Sequence, residues 1–418
     1  MISKFIKNKE LRLVATSQAV QLLGALGFTK VLTVYLDKEA YGFYALIMSS
    51  VTLVSMLPFT ALNEGAARYL SVYEEKGILA QRLINIPILY GIIYLIYIAI
   101  GAISYPFMYG DWQKLLLTVL VLTFSEILKN TVFKFENNRR NRSFVAYSKT
   151  FEYAVKIGVT FLITQWLDLS ITKVLLLLIL IDISIVVVEY LTRREDYRFA
   201  SVSASNLRST AKDLLNFSWP IIIWSVFGWF QNMGNRWIID FLMNSESVAE
   251  FSLMSSISLL PSTAITGIFG AFLLPIIYQK SNNDKHYAWK IIKIVIPLQI
   301  ALFFILIVGF YWFGADIVIL LSSNKYTNAA WMLPYMMFGS CLFALAQVST
   351  YEIFALKATK NLLISTVIPG ISSLLIGYFL VKYFGLKGAM MNFILTYSLY
   401  FGLTLLIVTI FHRKHNSK

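Results

Sequence analysis

The chain has little charge and almost none of the side chains that bind metals or carry redox chemistry. Only 14% of its 418 residues are charged, and it holds one cysteine and three histidines. The single cysteine, Cys341, has no intramolecular partner, which excludes a disulfide framework and a cysteine metal site. The histidines His286, His412 and His415 fall in expected loop or tail positions, so we expect no intramembrane metal site and no histidine proton relay.

Catalytic motifs are also missing. The sequence contains no glycine-rich phosphate loop and no nucleophile elbow. We therefore expect no catalytic residues and no cofactor, and we expect that the protein is not an enzyme.

Most of the sequence is apolar instead. Hydrophobic residues make up 58% of the chain and the mean hydropathy is +0.68, far outside the range of soluble proteins. Because a helix needs roughly 20 residues to cross a bilayer, the sequence predicts an all-α integral membrane protein with about twelve transmembrane helices. We expect these spans at about 11–36, 41–62, 83–105, 112–135, 143–166, 171–192, 214–241, 247–277, 290–312, 327–350, 361–383 and 388–411.

The formal net charge of +14 is distributed unevenly between the expected loops. If the N-terminus faces the cytoplasm, the outer segments hold only a few of the cations: Lys38, Lys114, Lys173, Lys325, Lys382 and Lys387. This asymmetry is the positive-inside pattern and predicts a multi-pass protein with both termini in the cytoplasm. Membrane orientation and anionic membrane lipids account for the basic excess, so we expect no nucleic-acid partner.

Two halves are indicated by a polar, serine-rich segment at 193–213 and by an internal sequence repeat. The stretch 30–54 aligns without a gap with 236–260, and identical pairs include Met48 with Met254. We expect six-helix bundles at 1–206 and 207–418. Since six spans return the chain to its starting side, the bundles should be related by a pseudo-two-fold axis along the membrane normal.

Several charged residues interrupt the apolar runs. Each costs roughly 2.5 to 3.5 kcal/mol at the bilayer centre, so they must face protein or water. Two interpretations stay open: the charges pair between helices and hold the first bundle together, or they line a hydrated cavity for an anionic or sugar-bearing substrate. The residues of the first half are Lys30, Glu126, Lys129, Lys149, Glu152, Lys156, Asp182 and Glu189.

Lys30 and Arg236 are basic residues that align with each other in the internal sequence repeat. On its own helix Lys30 has no acidic neighbour within two turns, apart from Asp37 in the following loop, whereas Arg236 has Asp240 four residues on. An internal ion pair is therefore one interpretation of Arg236 and a substrate contact is the other. Pro58 and Pro261 should bend the second and eighth helices and are candidate hinges.

Three stretches resemble a known family. They are YGFYALIMSS from Tyr41, LNEGAARYLSVYEEKG from Leu62, and LLNFSWPIIIWSVFGWFQNMGNRWIIDFLMNSESVAEFSL from Leu214. They are similar to the O-antigen flippase family of polysaccharide-unit transporters, within the multidrug/oligosaccharidyl-lipid/polysaccharide exporter superfamily. The resemblance extends over essentially the whole chain.

The resemblance implies a flippase of the bacterial inner membrane that acts in polysaccharide biosynthesis, of lipopolysaccharide O-antigen or of capsule. It would move a polyprenyl-pyrophosphate-linked oligosaccharide from the cytoplasmic to the outer leaflet by alternating access. Cavity cations would be Lys30, Arg236, Lys129, Lys149 and Lys156. The acidic residues Asp240, Glu126, Glu152 and Asp182 would serve as charge pairs or as coupling sites for H⁺ or Na⁺. Proteins of polysaccharide assembly would be further partners.

Two other functions remain open. A cation-coupled multidrug exporter of the same superfamily would place a carboxylate in its coupling helices, and Asp240 is such a carboxylate, although a lysine in the first span argues against this function. A membrane polysaccharide polymerase has similar composition but needs a large external loop, while every outer loop expected here is short.

Overall fold

The computed structural model describes residues 9–75, 79–194, 203–281, 287–356 and 358–416, and all regular structure in these ranges is helical. The longer elements are α1 (Lys9–Tyr35), α2 (Lys38–Val54), α3 (Ala61–Glu75), α4 (Leu79–Ser104), α5 (Asp111–Asn138), α6 (Arg142–Trp166), α7 (Ile171–Arg193), α8 (Ala204–Leu242), α9 (Ser245–Ser281), α10 (Tyr287–Leu321), α11 (Leu333–Ser349), α12 (Tyr351–Ala355) and α13 (Leu363–Asn416). A π-helical segment, Ser55–Thr60, joins α2 to α3, and a 3₁₀ segment, Asn324–Met332, leads into α11.

Eight helical segments of the described residues are long and apolar enough to cross a membrane. Helix α13 contains two of the spans expected from sequence. They meet at Gly385, where the backbone leaves helical geometry and φ is 57°. Helices α1, α6 and α8 are not among the eight. These three carry polar and charged residues within their length, among them Lys30, Lys149 and Arg236.

Large apolar side chains cover the outside of the helices. Ile96, Ile100 and Ile103 of α4 are each more than half exposed, as are Ile305 and Trp312 of α10. Contiguous apolar faces of this size are not stable in water and are the normal contact surface with lipid. The prediction of an all-α integral membrane protein is confirmed.

The helices form two compact units. The first comprises Met1–Tyr35 with Ile47–Val226, and the second comprises Leu36–Leu46 with Phe227–Lys418, within the described residues. The boundary expected from sequence at residue 206 stays a prediction.

The first unit is centred on tyrosines of α4 and the interrupted α2–α3 segment. Phe59 packs edge-on against Tyr90 with ring centroids 5.4 Å apart, and the Tyr90 hydroxyl donates to Asn63 Oδ1 at 2.8 Å. Leu57 leaves helical geometry just before Pro58 (φ −110°, ψ 106°), and its carbonyl accepts a hydrogen bond from the Tyr97 hydroxyl. Tyrosines buried with a satisfied hydroxyl therefore fix the break in the helix.

Two equivalent turns belong to the second unit. In the turn between α1 and α2, Asp37 caps the helix by accepting from Ala40 N at 2.7 Å. In the turn between α8 and α9, Asn244 accepts from Ser247 N at 2.9 Å. Because both residues cap the following helix, Asp37 corresponds to Asn244 in the structure. The ungapped sequence alignment pairs Asp37 with Met243 instead, so the two alignments differ by one residue.

The two turns also pack on each other. Lys38 forms an ion pair with Glu250 at 2.5 Å. Gly42 lies so close to the start of α9 that a Cβ built on it would be 1.8 Å from the carbonyl oxygen of Ser245. A glycine is required here because any side chain would collide with backbone, which cannot move aside as a flexible side chain can.

We expect Gly42→Ala to lower the stability of the protein by about 1 to 3 kcal/mol, because α2 and α9 must separate to admit a methyl group. Cys341 is 3% exposed, so its labelling by a thiol-reactive dye during heating reports unfolding of the full chain in detergent. The matched control is Gly309→Ala, where a built Cβ meets nothing within 4 Å. Equal unfolding temperatures for the two variants would contradict the close approach.

Candidate functional site

A group of charged side chains is buried within the first unit, where α5, α6 and α7 meet. Lys129 of α5 is only 4% exposed. Its Nζ donates to Glu126 Oε2 at 2.7 Å and to Glu152 Oε1 of α6 at 3.2 Å. Asp182 Oδ1 of α7 lies 2.8 Å from the same nitrogen. One ammonium group thus holds carboxylates from three helices.

The helical spacing explains why these charges converge. Glu126 and Lys129 are three residues apart on α5, and Glu152 and Lys156 are four apart on α6, so each pair shares one face of its helix. Lys156 Nζ pairs with Glu152 at 2.5 Å. Asp182, which is 1% exposed, also accepts from the Ser125 hydroxyl at 3.1 Å. Of the two interpretations open from sequence, pairing between helices is observed for these residues.

Lys149 differs from Lys156, the other lysine of α6. Its Nζ donates to the neutral side chain of Gln21 on α1 at 2.6 Å. It interacts electrostatically with Glu152 but forms no ion pair within 4 Å among the described residues. Lys149 therefore contributes positive charge to the edge of the group without being held by a carboxylate.

Arg236 of α8 lies in the second unit and is half-buried. Its electrostatic neighbours are the phenols of Tyr41, Tyr397 and Tyr44. Within the described part of the chain the guanidinium makes no ion pair, and its Nε is a buried donor without a hydrogen-bond partner. Asp240 accepts from the Ser245 hydroxyl at 3.0 Å instead. The internal ion pair that the spacing of Arg236 and Asp240 allowed is not formed.

Amide side chains continue the polar face of α8 next to Arg236. Asn392 of α13 donates to Asn235 Oδ1 at 2.6 Å and to the Ser373 carbonyl at 2.9 Å, and the buried hydroxyl of Tyr397 donates to Asn232 at 2.7 Å. In this stretch the sequence analysis singled out Arg236 and Asp240 but none of the amides. The alternation of amides at three- and four-residue spacing was the signal that could have identified it.

The remaining candidates are less concentrated. Lys30 is half-buried on α1 and interacts with neighbouring groups, so it is not the isolated cation that its own helix indicated. Pro58 lies in the interruption between α2 and α3, while helix α9 continues through Pro261. A role as hinge stays a prediction for both prolines, and so does a cavity shared by Lys30 and Arg236, which belong to different units.

Sequence reasoning missed a pair of titratable groups near the end of α13. His412 of α13 stacks on Trp289 with ring centroids 4.1 Å apart, and its Nδ1 lies 2.7 Å from Glu352 Oε1. The three residues come from distant parts of the chain, so their spacing in sequence carries no signal. In the described ranges, no group of three or more His, Cys, Asp or Glu side chains is arranged to hold a metal ion.

Comparison with known proteins identifies both a family and a fold. The profile of the family described as polysaccharide biosynthesis protein matches residues 10–280. No curated protein sequence matches the chain.

Solved structures give the fold. The chain is similar to the lipid II flippase MurJ in an inward closed conformation, with TM-score 0.73 and 16% identity over 95% of this chain and 87% of that one. It is also similar to an inward-facing multidrug resistance MATE family transporter of the MOP superfamily (TM-score 0.70, 15% identity, 96% and 98% covered). A third is the Vibrio cholerae MATE transporter VcmN in its bent form (TM-score 0.61, 11% identity, 98% and 97% covered). The predicted arrangement of twelve transmembrane helices in two halves is therefore confirmed.

We expect Lys129→Met to destabilise the protein by about 3 to 5 kcal/mol, because it leaves buried carboxylates without their shared cation. Adding Asp182→Asn to that variant should recover part of the loss, since it removes one of those carboxylates. The fraction of protein that stays monodisperse on size exclusion after heating measures the effect. Lys114→Met is the control, because its pair with Asp111 is solvent-exposed and contributes little. Equal behaviour of Lys129→Met and Lys114→Met would contradict a stabilising role for the buried group.

Proposed function

The chain belongs to the polysaccharide biosynthesis protein family, and from this we propose that it is a flippase for a lipid-linked oligosaccharide. The cargo is a polyprenyl-pyrophosphate-linked repeat unit of O-antigen or capsule type. The protein moves it from the cytoplasmic to the outer leaflet of the bacterial inner membrane by alternating access, with both termini in the cytoplasm. Its partners include membrane lipids and proteins of polysaccharide assembly.

The state of Arg236 carries this proposal. A guanidinium that is half-buried, has an unpartnered Nε and forms no ion pair in the described residues retains its charge for a ligand. A guanidinium presents several N–H donors in a plane and binds phosphate oxygens with two parallel hydrogen bonds. The neighbouring tyrosines and amides supply the aromatic faces and hydrogen-bonding groups that suit a sugar.

The lysines of the first unit divide into two roles in this proposal. Lys129 and Lys156 are held by carboxylates and organise the first unit. Lys149, whose ammonium donates to a neutral amide and forms no ion pair in the described residues, contacts the cargo. Lys30 is retained as a second contact because of the family resemblance.

Coupling to H⁺ or Na⁺ follows from the charge balance of the buried group. Glu126, Glu152 and Asp182 are paired directly with Lys129 and Lys156, which leaves one negative charge that Lys149 offsets electrostatically. When Lys149 binds a phosphate of the cargo instead, that negative charge is left without a counter-charge. Uptake of one monovalent cation restores neutrality, as a site of low dielectric requires.

A cation-coupled multidrug exporter is the second candidate. It is favoured by the likeness of the fold to a multidrug resistance MATE family transporter. Within the described residues, the carboxylate that it would use, Asp240, forms no ion pair with Arg236 and accepts from the neutral Ser245 hydroxyl. Drug susceptibility of an efflux-deficient host that produces the chain separates the two functions.

Deletion of the gene should abolish surface polysaccharide and leave single lipid-linked units on the cytoplasmic leaflet, where an impermeant reagent on intact spheroplasts does not reach them. Complementation with Arg236→Ala or Lys30→Ala should fail at normal membrane abundance, because the pyrophosphate loses its cation. Lys382→Ala, which removes an exposed cation of the second unit, should complement fully. Accumulation of units on the outer leaflet would instead indicate a polymerase, and wild-type polysaccharide with both alanine variants would refute the assigned roles.

Asp182→Asn should make transport independent of the H⁺ or Na⁺ gradient, because it removes the excess carboxylate. The measurement is uptake of lipid-linked units, extracted from the deletion strain, in proteoliposomes with each gradient imposed separately. Glu64→Gln is the control, since Glu64 belongs to the more exposed pair with Lys134 and should keep the dependence of the wild type. Unchanged gradient dependence in Asp182→Asn would exclude the buried group as the coupling site.

A further inference from the structure

A cavity of about 270 Å³ lies in the second unit and is partly open, since its lining residues Thr263, Gly267 and Phe354 are exposed. One wall is the part of α9 from Thr263 to Leu274, and the other is formed by α11 and α12 between Phe343 and Phe354. None of the lining residues carries a charge. The cavity is therefore unsuited to a pyrophosphate or to a drug cation, either of which needs a counter-charge once it leaves water.

The hydroxyls of the two threonines in the wall are already satisfied. The hydroxyl of Thr263 donates to the carbonyl of Leu259 at 2.9 Å, and that of Thr266 donates to the carbonyl of Ser262 at 2.8 Å. Both threonines thus have their hydroxyls bonded to their own helix. Together with Leu274 and the rings of Phe343 and Phe354, they leave the walls mainly apolar.

The hydroxyl of Tyr351 is not satisfied in this way. Its side chain is 4% exposed, yet in the described residues its hydroxyl has no hydrogen-bond partner. A Cβ built on Gly270 would lie 3.4 Å from this hydroxyl, so the absence of a side chain at Gly270 keeps the space beside it open. Gln347 of α11 lines the same cavity.

Buried hydroxyls without a partner are costly and uncommon in folded proteins. A ligand that offers one hydrogen-bonding group removes this cost, which makes the tyrosine a specific recognition element. A saccharide would need more partners than Tyr351 and Gln347 provide.

The size of the cavity limits the ligand. An apolar cavity of about 150 Å³ is enough for benzene, and sites for drug-sized molecules begin at roughly 300 Å³. We propose that this cavity binds one small uncharged amphiphile, with an apolar body of about one aromatic ring and a single hydroxyl or carbonyl group that Tyr351 recognises. The site is independent of the proposed flippase activity and requires neither Arg236 nor the buried charges of the first unit.

Two fluorinated probes that differ in one hydroxyl test the proposal directly. Binding of 4-fluorophenol and of fluorobenzene to the full-length protein in detergent is followed by fluorine NMR, with protein-free micelles subtracted. We expect saturable binding of both probes to the wild type. Tyr351→Phe should weaken 4-fluorophenol by about threefold to tenfold and leave fluorobenzene unchanged, because only the first probe uses the hydroxyl.

A cavity-filling variant and a matched control complete the test. Gly267 lines the cavity, and a Cβ there meets nothing within 4 Å, so Gly267→Leu should fold, elute normally on size exclusion and lose both probes. Gly309 is a helical glycine with equally open surroundings outside the cavity, and Gly309→Leu should bind both probes like the wild type. Absence of saturable binding, equal effects of the two leucine variants, or equal effects of Tyr351→Phe on the two probes would each overturn the proposal.

Discussion

The structure depends on one constraint: a charge within the membrane must be matched by a partner, because no water is available to solvate it. Lys129 satisfies this constraint for the first unit by holding Glu126, Glu152 and Asp182 around a single nitrogen. These residues come from three consecutive helices, so the group fixes the relation of α5, α6 and α7 more specifically than apolar side chains would. Hydrocarbon packing alone discriminates weakly between helix rotations in a bilayer, because lipid is as apolar as leucine.

The same constraint applies to the three helices that carry the cations of the proposed cargo site. Helices α1, α6 and α8 are not among the eight segments that are long and apolar enough to cross a membrane, and each carries one of these cations, Lys30, Lys149 or Arg236. A helix that departs from apolar composition does so at a free-energy cost, and this cost is retained where the polar groups have a role. Arg236 bears the largest cost of this kind, since in the described residues it does not form the ion pair that Asp240 on the same helix would allow.

Much of the fold was predictable from the sequence, because span length and apolar composition depend only on bilayer thickness. The two spans within α13 were separated correctly, since Lys382 and Lys387 flank the turn at Gly385. Convergence of the charges on α5 and α6 was also predictable, because spacing along one helix determines which residues share a face.

Partners on different helices could not be predicted. Spacing allowed an ion pair between Arg236 and Asp240, but the Ser245 hydroxyl of the following helix bonds Asp240 instead. In the sequence Gly42 stands out only as part of a stretch that resembles a known family, while its contact with Ser245 depends on where a distant segment folds. Both outcomes depend on contacts between elements, which no local pattern records.

The helix caps determine which residues of the two halves correspond to each other. If Asp37 corresponds to Asn244, the residue equivalent to Lys30 is Trp237, and the residue equivalent to Arg236 is Thr29. One position along an α-helix is a rise of about 1.5 Å and a rotation of about 100°. The two basic residues are therefore not equivalent positions of the repeat: along its own helix, each charge is displaced by that rise and rotation from the position that corresponds to the other.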